Sequence, residues 1–343
     1  MKRKLLFILP VLAAMVVALA MPVATAQDEP FSVAAVAPSA TNDLAFSQSM
    51  FDALTAVQEE MGEDAFEFTF IEGQFNVDDA AATIRDWAAS GDYDLIIAHG
   101  SQYGAALEEI APEFPEIAFA WGTDVNTFGL DNVSAYEAAS QEGGYINGFV
   151  AGGLTQTDVI GVIGPIEVGD AKLYVDGFKA GVAAYAEEED KEITVNVNYI
   201  QSFSDVALAA EAAETHLSND ADILTGTAQM VVGAIGVAQE RGDVYWFGTQ
   251  SSQTEFGGEI VVMNQVYHWE VVLMEIIANM EEGVLGGESY KITLENGGLE
   301  MEINPDFAGF ESEEDYETLQ EAVQILIDGI VAGDIEVLPA EEE

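Results

Sequence analysis

Short apolar runs alternate with amphipathic helical stretches along almost the whole chain, and this alternation constrains the fold more than any other feature. FSVAAVA (31–37) leads into an apolar stripe at helical spacing: Phe46, Met50, Leu54, Val57 and Met61. FEFTFIEG (66–73), DLIIAHG (94–100), EIAFAWG (116–122) and NVSAYEA (132–138) read as further strands. Helices are predicted between them over 78–91 and 102–114, the second broken near Pro112. A second unit follows a helix over about 139–154. Its strands are VIGVIGP (159–165), ITVNVNYI (193–200), ADILTGT (221–227) and DVYWFGT (243–249); EIVVMNQV (259–266) follows, and the elements after residue 259 are expected to cross back to complete the lobes. An amphipathic helix from His268 to about Glu282, strand-like YKITLE and GGLEMEI, and a helix over about 313–331 close the chain. Strands alternating with helices imply parallel sheets covered on both faces. The predicted class is therefore α/β: two doubly wound parallel-sheet lobes joined by a hinge. Residues 27–137 plus about 264–285 are expected to form the N-terminal lobe, and 138–263 plus about 286–343 the C-terminal lobe. No low-complexity linker separates them, which favours short hinge strands. The length agrees, because 343 residues exceed one ordinary core.

Ahead of the first strand, Lys2, Arg3 and Lys4 precede the apolar run LLFILPVLAAMVVALAM, and Ala24-Thr25-Ala26 fits the small-residue cleavage rule. Residues 1–26 are expected to be a signal peptide cleaved after Ala26. An uncleaved membrane anchor is the alternative, and the small-residue site argues against it. The chain has no cysteine, so neither a lipid on cysteine nor a disulfide is available. The expected location is the periplasm or the cell exterior.

Charge narrows the partners. There are 62 acidic residues against nine basic ones, and three of those nine lie in the leader. Such a surface repels nucleic acid and anionic lipid, and it repels itself unless salt screens it. The bias reads as adaptation to a saline habitat. Acidic runs such as 187–190 and 341–343 read as solvated surface.

Enzyme motifs fail on spacing. No G-x-G-x-x-G follows the first strand, and GVIGPIEVG (161–169) is spaced wrongly for one. No phosphate-binding G-x-x-x-x-G-K-[ST] occurs. GSQYG (100–104) carries its serine one position early for a nucleophile elbow. His99, His216 and His268 are isolated in sequence, so a zinc site is not expected. DVNTFG (124–129) echoes the start of a calcium loop, but Ala135 stands where the closing glutamate belongs. No metal and no cofactor are expected. What remains is a set of polar turns at strand ends: Asn42-Asp43, Gly100-Ser101-Gln102-Tyr103, Gly122-Thr123-Asp124, Gly164-Pro165, Ser202-Phe203, Thr225-Gly226-Thr227 and Thr249-Gln250. Ligands of open α/β sheets bind outside the carboxyl ends of the strands. Two such edges facing each other make a cleft lined by hydroxyls, amides and rings, suited to reversible binding of a neutral polar solute.

Four blocks carry a family resemblance. They are N-D-x-x-F-x-Q at 42–48, DLIIAHGSQYGAALEEIAPEFPEIAFAWG (94–122), YEAASQEGGYINGFVAGGL (136–154) with Gly148 where alanine is usual, and VIGVIGP…VDGFKAGVAAY (159–185). In order and spacing they resemble the basic membrane protein family, nucleoside-binding receptors of ABC importers. The resemblance implies a type I periplasmic-binding fold whose lobes close on a purine held between aromatic rings. It implies Phe46 and Phe178 as the rings and Asn42, Asp43 and Gln48 as first-lobe polar contacts. Ser101, Gln102 and Tyr103 would line the next loop. Thr227, Thr249 and Gln250 are the second-lobe candidates, and Trp269 lies near the hinge. Two readings stay open for several of these. Phe46, Phe178 and Trp269 also suit core packing, and Asp43 suits a helix cap. The chain departs from the pattern where many members carry an aspartate (here Gly248-Thr249-Gln250-Ser251) and a lysine (here Asn264, Gln265 and His268), which leaves ribose recognition open. The implied partners are a nucleoside-like small molecule and a membrane ABC permease, with no nucleic acid and the chain acting as a monomer. The alternatives are a sensor that presents its ligand to a membrane kinase and, from a different class, a nucleoside-processing enzyme.

Overall fold

The computed structural model describes residues 30–338; the expected signal peptide, its cleavage site and the acidic tail lie outside them. The first unit runs β1 (Phe31–Val36), α1 (Phe46–Met61), β2 (Phe66–Ile71), α2 (Val77–Ser90), β3 (Leu95–His99), α3 (Gly104–Ile110), β4 (Ala118–Gly122) and β5 (Val133–Ala138). The second runs α4 (Ser140–Leu154), β6 (Val159–Gly164), α5 (Gly169–Glu188), β7 (Thr194–Tyr199), α6 (Val206–Ser218), β8 (Ile223–Gly226), α7 (Val231–Arg241), β9 (Tyr245–Gln250), α8 (Thr254–Gly257) and β10 (Val261–Tyr267). Then follow α9 (Glu270–Glu281), β11 (Ser289–Ile292), β12 (Leu299–Ile303) and α10 (Glu313–Val331). One sheet has the order β11-β5-β4-β3-β1-β2 and is parallel throughout. The other has the order β12-β10-β9-β8-β6-β7, parallel except where β12 lies antiparallel to β10. The α/β architecture of two parallel-sheet lobes is as the strand–helix alternation predicts.

Local chemistry sets the element ends. Asn76 and Asp205 side chains cap α2 and α6, Ser312 and Asp315 form a capping box on α10, and Gly91 ends α2 in the left-handed region at φ 68°. Pro112 tightens the end of α3 into a 3₁₀ turn over Ala111–Glu113.

The chain passes between the sheets three times: after β5, after β10 and between β11 and β12. These crossings correct the expected lobe boundaries. All of β10 lies in the second sheet, although 264–267 were assigned to the first lobe. β11 pairs with β5, Ser289 opposite Ala135, although 286–343 were assigned to the second. Helix α9 buries Val272, Leu273, Ile276 and Ile277 in the first lobe's core. A short strand's own sequence states which of its faces is apolar, not which sheet edge it will extend. His268 sits at the second crossing, its ring nitrogens 2.8 Å from Glu270 of α9 and 2.8 Å from Glu300 of β12.

Helices α4 and α5 pack with their backbones almost touching, and glycine makes this possible. A Cβ on Gly148 would stand 2.0 Å from the Phe178 carbonyl, and one on Gly181 would stand 1.9 Å from the Tyr145 carbonyl. The alanine usual at position 148 therefore has no room here. Gly181→Ala is expected to force the helices apart and to destabilise the protein by about 1–3 kcal/mol. A thermal melt in high salt checks this, and an unchanged melting temperature would show that the helices separate freely.

Candidate ligand-binding cleft

The carboxyl ends of both sheets face one another across a cavity of about 420 Å³, its mouth included. The first lobe contributes Pro38 after β1, Phe75 after β2, Ser101 and Gln102 after β3, and Thr123 after β4, together with Phe46 at the start of α1. The second contributes Val168, Asp170 and Ala171 around the start of α5, Phe203 after β7, Ala228 and Gln229 after β8, and Gln250 at the end of β9. Both sets follow strand ends, as the ligand rule for open α/β sheets requires. The lobes also touch directly. Ser251 Oγ donates to the Ala45 carbonyl at 2.9 Å, Gln253 Nε2 to the Leu44 carbonyl at 3.1 Å, and Thr123 Oγ1 to Asp170 Oδ1 at 2.9 Å.

Phe46 is held from behind. Its ring stacks on His99 with centroids 3.9 Å apart and planes 14° apart, and His99 continues the stack onto Tyr136 at 6.0 Å. His99 Nε2 lies 3.0 Å from the Phe46 carbonyl and Nδ1 lies 2.9 Å from the Tyr136 hydroxyl. A carbonyl only accepts, so Nε2 carries the proton and Nδ1 accepts from Tyr136. Complete burial lowers the His99 pKa to about 3, so the ring stays neutral. Opposite this stack the second lobe is strained, with Ala228 at φ 72° and Gln250 at φ 76°, and Gln250 Oε1 accepts the Ala228 N–H at 3.1 Å. Left-handed non-glycine residues of this kind cluster at ligand sites.

Family comparison decides what kind of cleft this is. The profile of the ABC transporter substrate-binding protein PnrA-like family matches residues 31–336. The chain belongs to that family. Among PnrA-like relatives, a purine-binding protein of Brucella abortus is 29% identical over 206 residues, covering 60% of this chain and 56% of that protein's length. Basic membrane protein A of Borreliella burgdorferi is 24% identical over 288 residues, covering 82% of each chain. A solute-binding protein of an ABC transporter system from Aeropyrum pernix shares the fold at a TM-score of 0.77 with 20% identity, over 91% of this chain and 94% of that one. The motif resemblance to the basic membrane proteins thus leads to the correct family and fold.

Within this PnrA-like cleft, Phe46, Ser101, Gln102 and Gln250 line the cavity, and the other residues singled out from sequence do not. Asn42 is exposed on the turn before α1. Asp43 is a cap: its carboxylate accepts the backbone N–H groups of Ala45, Ser47 and Gln48 and the Ser39 hydroxyl. Gln48 accepts the Leu44 N–H and faces a separate groove shared with Tyr267 and His268. Tyr103 is fully buried and donates its hydroxyl to the Gln74 carbonyl at 2.6 Å. Phe178 is fully buried in the second lobe's core, edge-on to Phe247. Thr249 is tied to Gln265 at 2.9 Å, and Thr227 is fully buried with no partner for its hydroxyl. Trp269 is a packing residue, donating to Ser49 Oγ at 3.0 Å and lying edge-on to His99 and Tyr136. Sequence reasoning did not select Phe203, Asp170 and Gln229. For Phe203 a signal existed, because Ser202-Phe203 is one of the polar turns at strand ends.

Asp170 is buried, with Thr123 and Gln250 donating to its two oxygens. Burial raises its pKa from 3.8 to about 6, against the opposing effect of those hydrogen bonds. The folded state therefore holds this proton more tightly than the unfolded chain does. Ionisation above pH 6 disfavours the fold, and the penalty fades as pH falls through 6 toward 4. Asp170→Asn is expected to stabilise the ligand-free protein at pH 8 by on the order of 2 kcal/mol. The gap should narrow toward pH 5 in a pH series of melting temperatures; a constant or reversed gap would refute this.

Proposed function

We propose that this chain is an extracytoplasmic receptor that delivers a nucleoside, or a related purine or pyrimidine compound, to an ABC permease. The observation that carries the reading is an interlobe cavity lined by phenylalanines from both lobes, Phe46 and Phe75 from the first and Phe203 from the second. Rings reaching one cavity from opposite sides suit a flat aromatic ligand better than a sugar, because base faces stack on rings. Ser101, Gln102, Thr123, Gln229 and Gln250 add the neutral donors and acceptors that orient a heterocycle edge. The purine-binding relative from Brucella abortus is consistent with this choice.

A thermal-shift screen of nucleosides, free bases and sugars in molar salt tests the reading. A ligand that binds only the native state raises the melting temperature, by about 2.7 kcal/mol of stability at a hundredfold excess over Kd. Shifts are expected with nucleosides or bases. If only sugars shift the melt, the nucleoside reading is wrong while the receptor role remains.

A further inference from the structure

We propose that Asp170 and Gln229 together read the ligand's polar edge, so that the cleft selects solutes that bring an N–H or O–H donor and carry no negative charge. Nucleosides would be admitted and their 5′-phosphates rejected. The inference builds on the nucleoside reading for its probes, but its logic comes from the lining.

Among the described residues lining the cavity, Asp170 is the only charged one, and no lysine or arginine accompanies it. A carboxylate accepts about four hydrogen bonds. Thr123 Oγ1 and Gln250 Nε2 occupy one position on each oxygen, which leaves further capacity for a donor from the cavity. Gln229 is the second, independent sign. It is 6% exposed and lines the same cavity, yet neither its amide oxygen nor its amide nitrogen has a hydrogen-bond partner. Buried polar atoms left unpaired carry a desolvation cost that a complementary ligand removes. An anionic ligand would instead set a second negative charge beside a buried carboxylate, with no lysine or arginine among the described residues that line the cavity. Gln250, in the Gly248–Ser251 run where the motif pattern expects an acid, donates to Asp170 at 3.3 Å, so the acid of this lobe comes from the start of α5.

The titratable groups around Asp170 are few. Glu137 of β5 repels it and is itself paired with Lys291 of β11 at 3.2 Å; Tyr267 of β10 faces it from the hinge side. On α5, Lys172 pairs with Asp176. Burial sets Asp170 near pKa 6, so the acceptor is ionised at pH 8 and is lost as the pH drops below 6.

Calorimetric titration from pH 5 to 8 in molar salt, with inosine, guanosine and adenosine, their 5′-monophosphates, ribose and glucose, decides the matter. The wild type is expected to bind a nucleoside far more tightly than its monophosphate, and to lose affinity as pH falls below 6. Asp170→Asn should bind at least about tenfold more weakly at pH 8 with a flat pH profile, and Gln229→Leu should lose about tenfold with the wild-type pH profile intact. Equal affinity for nucleoside and monophosphate, or unchanged affinity and pH profile in Asp170→Asn, would overturn the proposal. If ribose or glucose binds in place of the nucleosides with the same Asp170 dependence, the reading acid stands and the nucleoside function falls.

Discussion

Replacing Phe46 or Phe203 with leucine is expected to weaken nucleoside binding by about ten- to a hundredfold, the usual worth of one base–aromatic stack. Leucine keeps much of the apolar volume, so the loss reports on the ring and not on a collapsed cavity. Phe46 also stacks on His99, so its variant should lose some stability as well. Phe203 is only half-buried, so its variant should lose affinity with little change in melting temperature. Phe178→Leu gives the opposite pattern. That ring is fully buried against Tyr174 and Phe247 and does not reach the cavity. Its variant is expected to lower the melting temperature and leave affinity within about twofold, since substitutions without a shared partner act nearly independently. Titration of the three variants with the tightest-binding nucleoside separates the two assignments. If Phe178→Leu loses affinity and Phe203→Leu does not, the second-lobe ring has been placed on the wrong residue.

Raising sodium chloride from 0.1 M to 2 M is expected to stabilise the fold strongly. The formal charge is −53. Among the described residues, Arg85, Lys172, Lys179, Arg241 and Lys291 are already in ion pairs, and Lys191 sits 5.3 Å above the Tyr185 ring. Compaction therefore brings like charges together with only mobile ions to screen them. The screening length falls from about 10 Å at 0.1 M to about 3 Å at 1 M, which cuts repulsion between all but adjacent carboxylates. Melting temperature against salt should rise steeply at first and then flatten. Sucrose at matched osmolality acts by exclusion from the surface and not by screening. An equal rise in sucrose, or a flat salt curve, would show that self-repulsion does not limit this protein's stability.

The legible part of the site is the part encoded by local order along the chain. Polar turns after apolar runs marked where both lobes would be lined, and Ser101, Gln102 and Gln250 lie there. Phe46 was readable as core or cleft, and the structure makes it both: one face stacks on His99 while the residue lines the cavity. Asp43 was readable as cap or contact, and its carboxylate is consumed by three backbone N–H groups. Asp170 could not have been picked out. It is one acid among 62, and only its burial beside Thr123 and Gln250 distinguishes it. Gln229 carried no signal either, because an unpaired amide is a property of its surroundings.

By itself the sequence determined the family, the strand–helix alternation, the two lobes and the edges at which they meet. The family follows from the resemblance of its motif blocks, and the rest from periodicity and turn chemistry, which report how each side chain leaves its own element. Tertiary structure decided what each side chain meets. It put β10 in one sheet and β11 in the other, turned Phe178 and Trp269 into core, and brought Phe203, Asp170 and Gln229 to the cleft. Helix α5 illustrates the reason. One side of it packs on α4 through Gly177 and Gly181, and Phe178 is buried in the second lobe's core with Tyr174, Val175 and Phe247. The partner across the gap is set by chain segments far away in sequence, and no local pattern encodes it.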